Sequence, residues 1–263
     1  MVRRIRRLRS WFARKFVVAE KRPILVVGHR GWLARYPENT IVGFRAAIDL
    51  GVDFLELDVH VSADRHLVVI HDEDLRRTTG VRGSVRRLTL TEIKRLDAGR
   101  WFSERFAGQR IPTLEEVMAL AQGRVGLAIE VKPPDGTARA LDEKLIPLAR
   151  QFKGPLVVHS FDFDYIRDFK LKAPEIRTGY LCYGSVDSVH RATAAGAEAI
   201  HPAARGWTAR LAARARKKGL GVMIWAARNR RDCLRMMSKD TDAIGTDCPD
   251  VLIQMLKEHG MRQ

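Results

Sequence analysis

The feature that most constrains the fold is a regular alternation between short apolar runs and segments with helical periodicity. Parallel strands joined by crossover helices produce this alternation, and eight such units are typical of a (β/α)8 TIM barrel. A chain of 263 residues is long enough for such a barrel in one domain. The eight predicted strands are Ile24–Gly28, Asp53–Val59, Gly126–Val131, Leu156–Ser160, Arg177–Leu181, Ala199–His201, Leu220–Trp225 and Ala243–Thr246.

A ninth apolar run, Leu67–Ile70, follows Val59 after a short polar link. The link is too short for a parallel crossover, so it predicts an antiparallel hairpin above the barrel. The alternative is that this run is itself a barrel strand. Residues from about 73 to 112 contain no barrel unit and predict a small insertion over the mouth, with a helix over Thr89–Leu96.

Two helix starts are marked by capping residues. Thr40 to Leu50 has helical periodicity, with Asn39 or Thr40 as its N-cap and Gly51 at its end. Thr113, followed three residues later by Glu116, predicts a capping box at the start of another helix.

Carboxylates on two predicted strands indicate a metal site. Glu56 and Asp58 are two residues apart, so they share one strand face, and Glu130 lies at the end of Gly126–Val131. Active sites in this fold form at the C-terminal ends of the strands, where the three side chains meet. Three carboxylates without cysteine or a clear set of three histidines favour Mg²⁺ or Ca²⁺ over Zn²⁺.

Two histidines end apolar runs near this cluster. His29 follows Ile24–Gly28, and His71 follows Leu67–Ile70. Histidines beside a carboxylate pair indicate general acid–base chemistry. The sequence does not assign the acid and the base.

Four short motifs occur in order in the first third of the chain. They are Gly28-His-Arg-Gly31, Pro37-Glu-Asn-Thr40, Glu56-Leu-Asp-Val59 and Val69-Ile-His-Asp72, the last followed by Arg77-Thr-Thr79. In order and spacing they resemble the glycerophosphodiester phosphodiesterase family of the phospholipase C-like phosphodiesterase superfamily. The resemblance implies metal-dependent hydrolysis of glycerophosphodiesters to sn-glycerol 3-phosphate and an alcohol. It implies that His29 and His71 are catalytic and that Glu56, Asp58 and Glu130 bind the metal.

A phosphodiester gains negative charge as a new bond forms to phosphorus, and Arg30, Lys132 and the cation are predicted to stabilise that charge. Lys132 shares a strand face with Glu130. The attacking oxygen is either water or a neighbouring substrate hydroxyl, and both remain open.

Three later segments extend the resemblance to about residues 24–255. His159-Ser-Phe161 is similar to a Ser-Phe motif of the family, and Phe161 is predicted to line the substrate pocket together with Trp225. The family usually continues Trp-Thr-Val-Asn, whereas this chain has Trp225-Ala-Ala-Arg-Asn229, which changes the local loop. Asp247, in a Thr-Asp-x-Pro motif, is predicted to orient an active-site residue.

The formal net charge is +16, and residues 1–22 supply half of it, with nine Lys or Arg and one acid. That segment has the pattern of a basic amphipathic helix and predicts peripheral contact of residues 1–20 with anionic membranes. A basic tail without regular structure, or a helix packed on the barrel, is the alternative. Residues 23–263 form the predicted catalytic domain, and the cations of residues 205–218 are predicted to be a solvated helix face.

Cysteine usage and the location of the charge bear on compartment and partners. Cys182, Cys233 and Cys248 are odd in number and lack metal-type spacing, which favours a reducing compartment. We expect a cytoplasmic protein, either free or peripheral at the inner membrane surface, with a small phosphodiester substrate and no nucleic acid. Lysophospholipase D-type hydrolysis of lipid diesters and a non-catalytic membrane or nucleic-acid adaptor are the competing functions.

Overall fold

Eight parallel strands close into a barrel in the computed structural model, which describes residues 23–133 and 138–263. Parallel pairings run from β1 to β2, from β2 to β4 and onward to β9, which pairs with β1 and closes the ring. The predicted (β/α)8 barrel is confirmed. The strands are β1 (Leu25–Gly28), β2 (Phe54–Val61), β3 (Leu67–Val69), β4 (Gly126–Val131), β5 (Leu156–Ser160), β6 (Arg177–Cys182), β7 (Ala199–Pro202), β8 (Gly221–Ala227) and β9 (Ala243–Thr246).

Helices surround the barrel and connect its strands. They are α1 (Ile41–Leu50), α2 (Arg76–Thr79), α3 (Leu90–Ile93), α4 (Leu114–Ala121), α5 (Ala138–Gln151), α6 (Phe163–Lys172), α7 (Val186–Ala194), α8 (Ala209–Lys217), α9 (Arg230–Met237) and α10 (Pro249–Glu258). Single 3₁₀ turns cover Val85–Arg87 and Glu104–Phe106.

Capping side chains set several of these helix starts. Thr40 caps α1 by accepting a hydrogen bond from the Gly43 amide, and the helix ends at Gly51. A capping box joins Thr113 to Glu116 at the start of α4. Another capping box begins α3 after Thr89, but the helix is shorter than predicted. Its last turn tightens into hydrogen bonds to the third preceding residue, and the next loop is held by Asp97.

The ninth apolar run forms the predicted hairpin. β3 is antiparallel to β2, with Val59 opposite Val69 and Val61 opposite Leu67. The alternative of a barrel strand is therefore wrong, and the pairing also extends β2 two residues beyond its predicted end. β3 and the residues between it and α4 bury a separate apolar cluster, formed by Val68, Ile70, Leu75, Val85, Ile93, Ala98 and Ile111.

The two faces of β2 separate the core from the site. Leu55, Leu57 and Val59 are completely buried and pack with the surrounding helices. Burial of each leucine contributes about 2 kcal/mol to folding. Glu56 and Asp58 point to the opposite face, inside the barrel. The apolar cluster of Val27, Phe54, Met223 and Ala243 fills the interior further toward the N-terminal ends of the strands.

One face of α8 is solvated, as predicted. Arg210, Arg214 and Lys217 are exposed, whereas Leu211 and Ala215 are buried.

The predicted amphipathic segment of residues 1–22 lies outside the described residues. Within the part of the chain that is described, the helices are too short or too polar to cross a bilayer.

Candidate active site

A tight loop after β1 places His29 and Arg30 at the barrel mouth. A Cβ atom on Gly28 would lie 2.6 Å from the Gly31 carbonyl oxygen, and Gly31 has a φ of +97°, so both positions require glycine. The His29 amide donates to the Thr246 carbonyl at 3.0 Å. The Arg30 amide donates to Glu56 Oε2 at 2.9 Å. The loop is thereby tied to β9 on one side and β2 on the other.

The three predicted carboxylates converge in one buried cluster. Asp58 and Glu130 are opposite each other in the β2–β4 register. One oxygen each from Glu56, Asp58 and Glu130 lies within 4.8 Å of the other two. The three side chains are 6%, 1% and 12% exposed. Such a set of oxygen donors fits a hard divalent cation.

Lys132 and Arg30 partly neutralise this cluster. Lys132 Nζ lies 3.0 Å from both Asp58 Oδ1 and Glu130 Oε1. The contact to Asp58 is an ion pair, since Asp58 Oδ1 accepts no well-aligned hydrogen bond from the described residues. Arg30 Nε lies 3.4 Å from Asp58 Oδ2. An incompletely satisfied carboxylate among like charges is the environment that a cation would stabilise.

Burial and mutual repulsion leave the cluster only partly ionised. Burial, with the Asp58 charge beside it, raises the pKa of Glu56 to about 8. The same two causes raise the pKa of Glu130 to about 7. Burial also acts against ionisation of Asp58, but Lys132 and Arg30 outweigh it and hold the pKa of Asp58 well below its usual range. A metal entering this cluster must therefore displace protons.

Both predicted histidines are anchored through Nδ1 to a carboxylate, which leaves Nε2 available for proton transfer. His29 Nδ1 lies 2.6 Å from Asp247 Oδ1, and His29 Nε2 lies 4.0 Å from Glu56 Oε2. His71 Nδ1 lies 2.5 Å from Asp72 Oδ1. The carboxylate acceptors fix the ring orientation of both histidines.

The two histidines differ in electrostatic environment. Burial lowers the pKa of His29, but the Asp247 hydrogen bond and the Glu56 charge outweigh burial, and the net pKa is raised. Burial lowers the pKa of His71 by more than Asp58 raises it. The protonated form is therefore more favoured at His29 than at His71.

A family model described as the glycerophosphoryl diester phosphodiesterase family matches residues 29–251. The chain belongs to this family. It is 40% identical to a glycerophosphodiester phosphodiesterase of Caldanaerobacter subterraneus subsp. tengcongensis, over 90% of this chain and 99% of that protein. The glycerophosphodiester phosphodiesterases are phosphoric diester hydrolases, so the chain is an enzyme of that class.

Solved structures agree with the family assignment. The chain is similar to an Oleispira antarctica phosphodiesterase in complex with the product sn-glycerol-3-phosphate, with a TM-score of 0.84 and 26% identity, over 89% of this chain and 96% of that one. It is also similar to a glycerophosphodiester phosphodiesterase of Agrobacterium tumefaciens, with a TM-score of 0.77 and 31% identity, over 87% and 98% of the two chains.

Three aromatic rings contact one another at the barrel mouth. Phe161 and Trp225, both predicted from the sequence, are joined by Tyr183. Phe161 stacks on Tyr183 with ring centroids 5.4 Å apart and meets the edge of Trp225 at 5.7 Å. Trp225 Nε1 donates to the His201 carbonyl at 2.8 Å, which fixes the indole ring. Tyr183 was not predicted from the sequence, because it follows β6 in a segment without a recognisable motif.

The sequence also did not predict a set of ion pairs across the site, in which Arg77 joins Glu38 and Asp72 and which we call the clamp. Arg77 donates to both Glu38 oxygens at 2.7 Å, and its Nε donates to Asp72 Oδ2 at 2.5 Å. Glu38 also accepts from Arg30 Nη1 at 3.1 Å. One arginine of the insertion thus holds the carboxylate that orients His71 and a carboxylate that pairs with Arg30. The Arg77-Thr-Thr79 motif was the available signal, although it indicates no partner.

Replacing Arg77 by glutamine is expected to lower kcat about ten-fold with a smaller change in KM, because Asp72 and Glu38 lose their shared donor while the reacting groups remain. Steady-state kinetics on glycerophosphocholine measure the effect. Arg76→Gln, on the same helix and exposed, is the matched control and should keep the wild-type rate. A wild-type kcat for Arg77→Gln would remove the clamp from the site's organisation.

Proposed function

We propose that this enzyme hydrolyses glycerophosphodiesters to sn-glycerol 3-phosphate and an alcohol. His29 and His71 transfer the protons, and Glu56, Asp58 and Glu130 hold Mg²⁺ or Ca²⁺. The observation that supports this most directly is the convergence of two carboxylate-anchored histidines on a buried carboxylate cluster. The product complex of the Oleispira antarctica relative supports the same choice of product.

The proton transfers are assigned to the two imidazoles. One takes the proton of the attacking hydroxyl as its oxygen bonds to phosphorus. The other donates a proton to the alkoxide as the bond between phosphorus and the alcohol oxygen breaks. Asp247 and Asp72 keep each ring oriented through the transfer. Hydrolysis by water gives the two products directly, and attack by a neighbouring substrate hydroxyl would first give a cyclic phosphate.

The remaining residues act on charge. When bound, the cation supplies Lewis-acid stabilisation of the phosphoryl oxygens. Lys132, which pairs with Asp58 and Glu130, would then be freed toward the phosphate, since the cation replaces it as the counter-charge. Arg30 faces the same space from β1, and its backbone amide keeps Glu56 in place.

A lysophospholipid is the second candidate substrate, favoured by the exposure of Phe161 and Tyr183 at the mouth. One assay separates the possibilities. Purified enzyme is given glycerophosphocholine or lysophosphatidylcholine with Mg²⁺, Ca²⁺ or EDTA, and choline release is followed. We expect metal-dependent turnover of glycerophosphocholine, abolished by EDTA. Turnover of lysophosphatidylcholine alone would support the second candidate, and full activity in EDTA would contradict the metal.

Metal-free enzyme is expected to lose stability as pH rises. The Glu56 and Glu130 carboxyls keep their protons up to about pH 8 and about pH 7 in the folded protein, whereas their ordinary pKa is 4.5. From about pH 4.5 to about pH 8, the folded state therefore binds more protons than the unfolded state. The free energy of unfolding falls as pH rises through this range.

Thermal unfolding in EDTA should show a Tm at least ~5 °C lower at pH 9 than at pH 6. Saturating Mg²⁺ or Ca²⁺ should reduce this difference, because the cation compensates the ionised carboxylates. The double variant Glu56→Gln, Glu130→Gln should reduce it without metal. A metal-free Tm that stays constant or rises over this range contradicts the raised pKa values.

A further inference from the structure

Exposed apolar side chains in the described part of the chain are concentrated around the barrel mouth. Among the described residues, seven large hydrophobic side chains are exposed, and five of the seven lie on segments at the mouth. Loops that follow the strands of a (β/α)8 barrel share the face of the active site. The five are between 38% and 74% exposed: Val81, Trp101, Phe161, Tyr183 and Val186.

These side chains come from three separate segments. Val81 and Trp101 belong to the insertion, Phe161 follows β5, and Tyr183 and Val186 follow β6. The guanidinium carbon of Arg77 lies 5.8 Å from the centroid of the Trp101 ring. Trp101 is therefore adjacent to the arginine that contacts Glu38 and Asp72 at the site. Single exposed apolar residues need no explanation, but a group around one opening marks an interaction surface.

Unpaired arginines lie on the same face. Arg82, Arg205 and Arg228 are exposed, and their guanidinium groups pair with no carboxylate among residues 23–133 and 138–263, although the Arg228 backbone amide donates to Asp232. They follow Val81 in the insertion, β7 and β8 respectively, so they surround the mouth. Cationic side chains interleaved with aromatic and aliphatic ones are typical of protein surfaces that bind anionic membranes.

The acidic residues that follow β5 and β6 lie at helix starts and do not pair with these three arginines. Asp162 caps α6 by accepting from the Tyr165 amide, and Asp164 pairs with Arg167 at 2.7 Å. Asp187 lies in the first turn of α7, where the helix dipole stabilises it. Outside residues 1–22 the chain still carries a net charge of +8, from 38 Lys and Arg against 30 Asp and Glu.

We propose that this mouth rim, comprising Val81, Trp101, Tyr183 and Val186 with Arg82, Arg205 and Arg228, docks on an anionic lipid bilayer. The apolar side chains enter the headgroup region, and the arginines contact anionic headgroups. The barrel mouth then faces the membrane, and diesters released from or held in that membrane reach the site without crossing bulk water. Val81, Val186 and the three arginines have no role in the proposed catalysis, and the whole surface lies within the described residues.

The charge contribution is tested with the full-length chain and vesicles of phosphatidylcholine with or without phosphatidylglycerol. The triple variant Arg82→Gln, Arg205→Gln, Arg228→Gln should bind the anionic vesicles roughly a hundred-fold more weakly at low salt, at about five-fold per arginine. The matched control removes the same charge from the side of the barrel, in Arg214→Gln, Lys217→Gln, Lys218→Gln. Equal weakening by both variants would mean general attraction and would overturn the proposal.

The apolar contribution needs a second variant. Val81→Ser, Trp101→Ser, Val186→Ser should lower vesicle affinity about ten-fold. Leu171→Ser, Leu234→Ser is the control, because both leucines are exposed but lie away from the mouth. Vesicles should also slow hydrogen exchange in residues 80–84, 100–103 and 183–188. Unchanged affinity and unchanged exchange at the rim would reject the bilayer as the occupant of this surface.

Discussion

Glu56→Gln is expected to lower turnover of glycerophosphocholine by at least about a thousand-fold, equivalent to ~4 kcal/mol of lost transition-state stabilisation. The glutamine keeps the size of the side chain but removes one of three charges that would hold the cation. Glu56 is buried and also accepts from the Arg30 amide, so the amide side chain weakens both contacts.

Calorimetric titration with Mg²⁺ or Ca²⁺ accompanies the kinetics and should show that affinity falls with activity. The exposed Glu115, replaced by glutamine, is the matched control and should keep both. Glu56→Gln should not destabilise the metal-free protein at pH 8, because it removes a like charge beside Asp58. Near-normal turnover with a folded Glu56→Gln protein would exclude Glu56 from metal binding and catalysis.

His29→Ala and His71→Ala are each expected to lower kcat by about 10²- to 10⁴-fold, the usual contribution of a positioned general acid or base. Each variant should also lose one limb of the pH–rate profile, and the lost limb identifies whether that histidine is the acid or the base. Circular dichroism should show an unchanged fold, since both rings are at the mouth rather than in the core.

Added imidazole should partly restore activity to either variant, which a purely structural role would not allow. His190→Ala is the control, because His190 is exposed on α7. If one variant retains the wild-type rate and both limbs of the profile, that histidine is not part of the chemistry, and the other must work with a different group.

The backbone architecture could be predicted because each of its causes is local. Alternation of apolar runs, the polar link before Leu67 and the capping residues Thr40 and Thr113 each determine a nearby structure. The shared face of Glu56 and Asp58 follows from strand geometry alone. The convergence of Glu130 with them required only the barrel and the strand end on which it lies.

Contacts that depend on the path of a loop could not be predicted. Arg77 reaches Glu38 and Asp72 because the insertion turns back over the mouth, and local sequence does not specify that turn. The α3 helix was predicted too long because Arg95 and Leu96 donate to the third preceding carbonyl instead of the fourth, and the apolar pattern does not distinguish these two geometries.

The hydrogen bond between His29 and Asp247 joins residues 218 positions apart. It requires β1 and β9 to be paired, which is the step that closes the ring. With His29 in its proposed role, a chain that has assembled only its first strands would hold this imidazole loosely and would lack activity, whatever its helix content. We therefore expect diesterase activity during refolding to appear only when the ring closes.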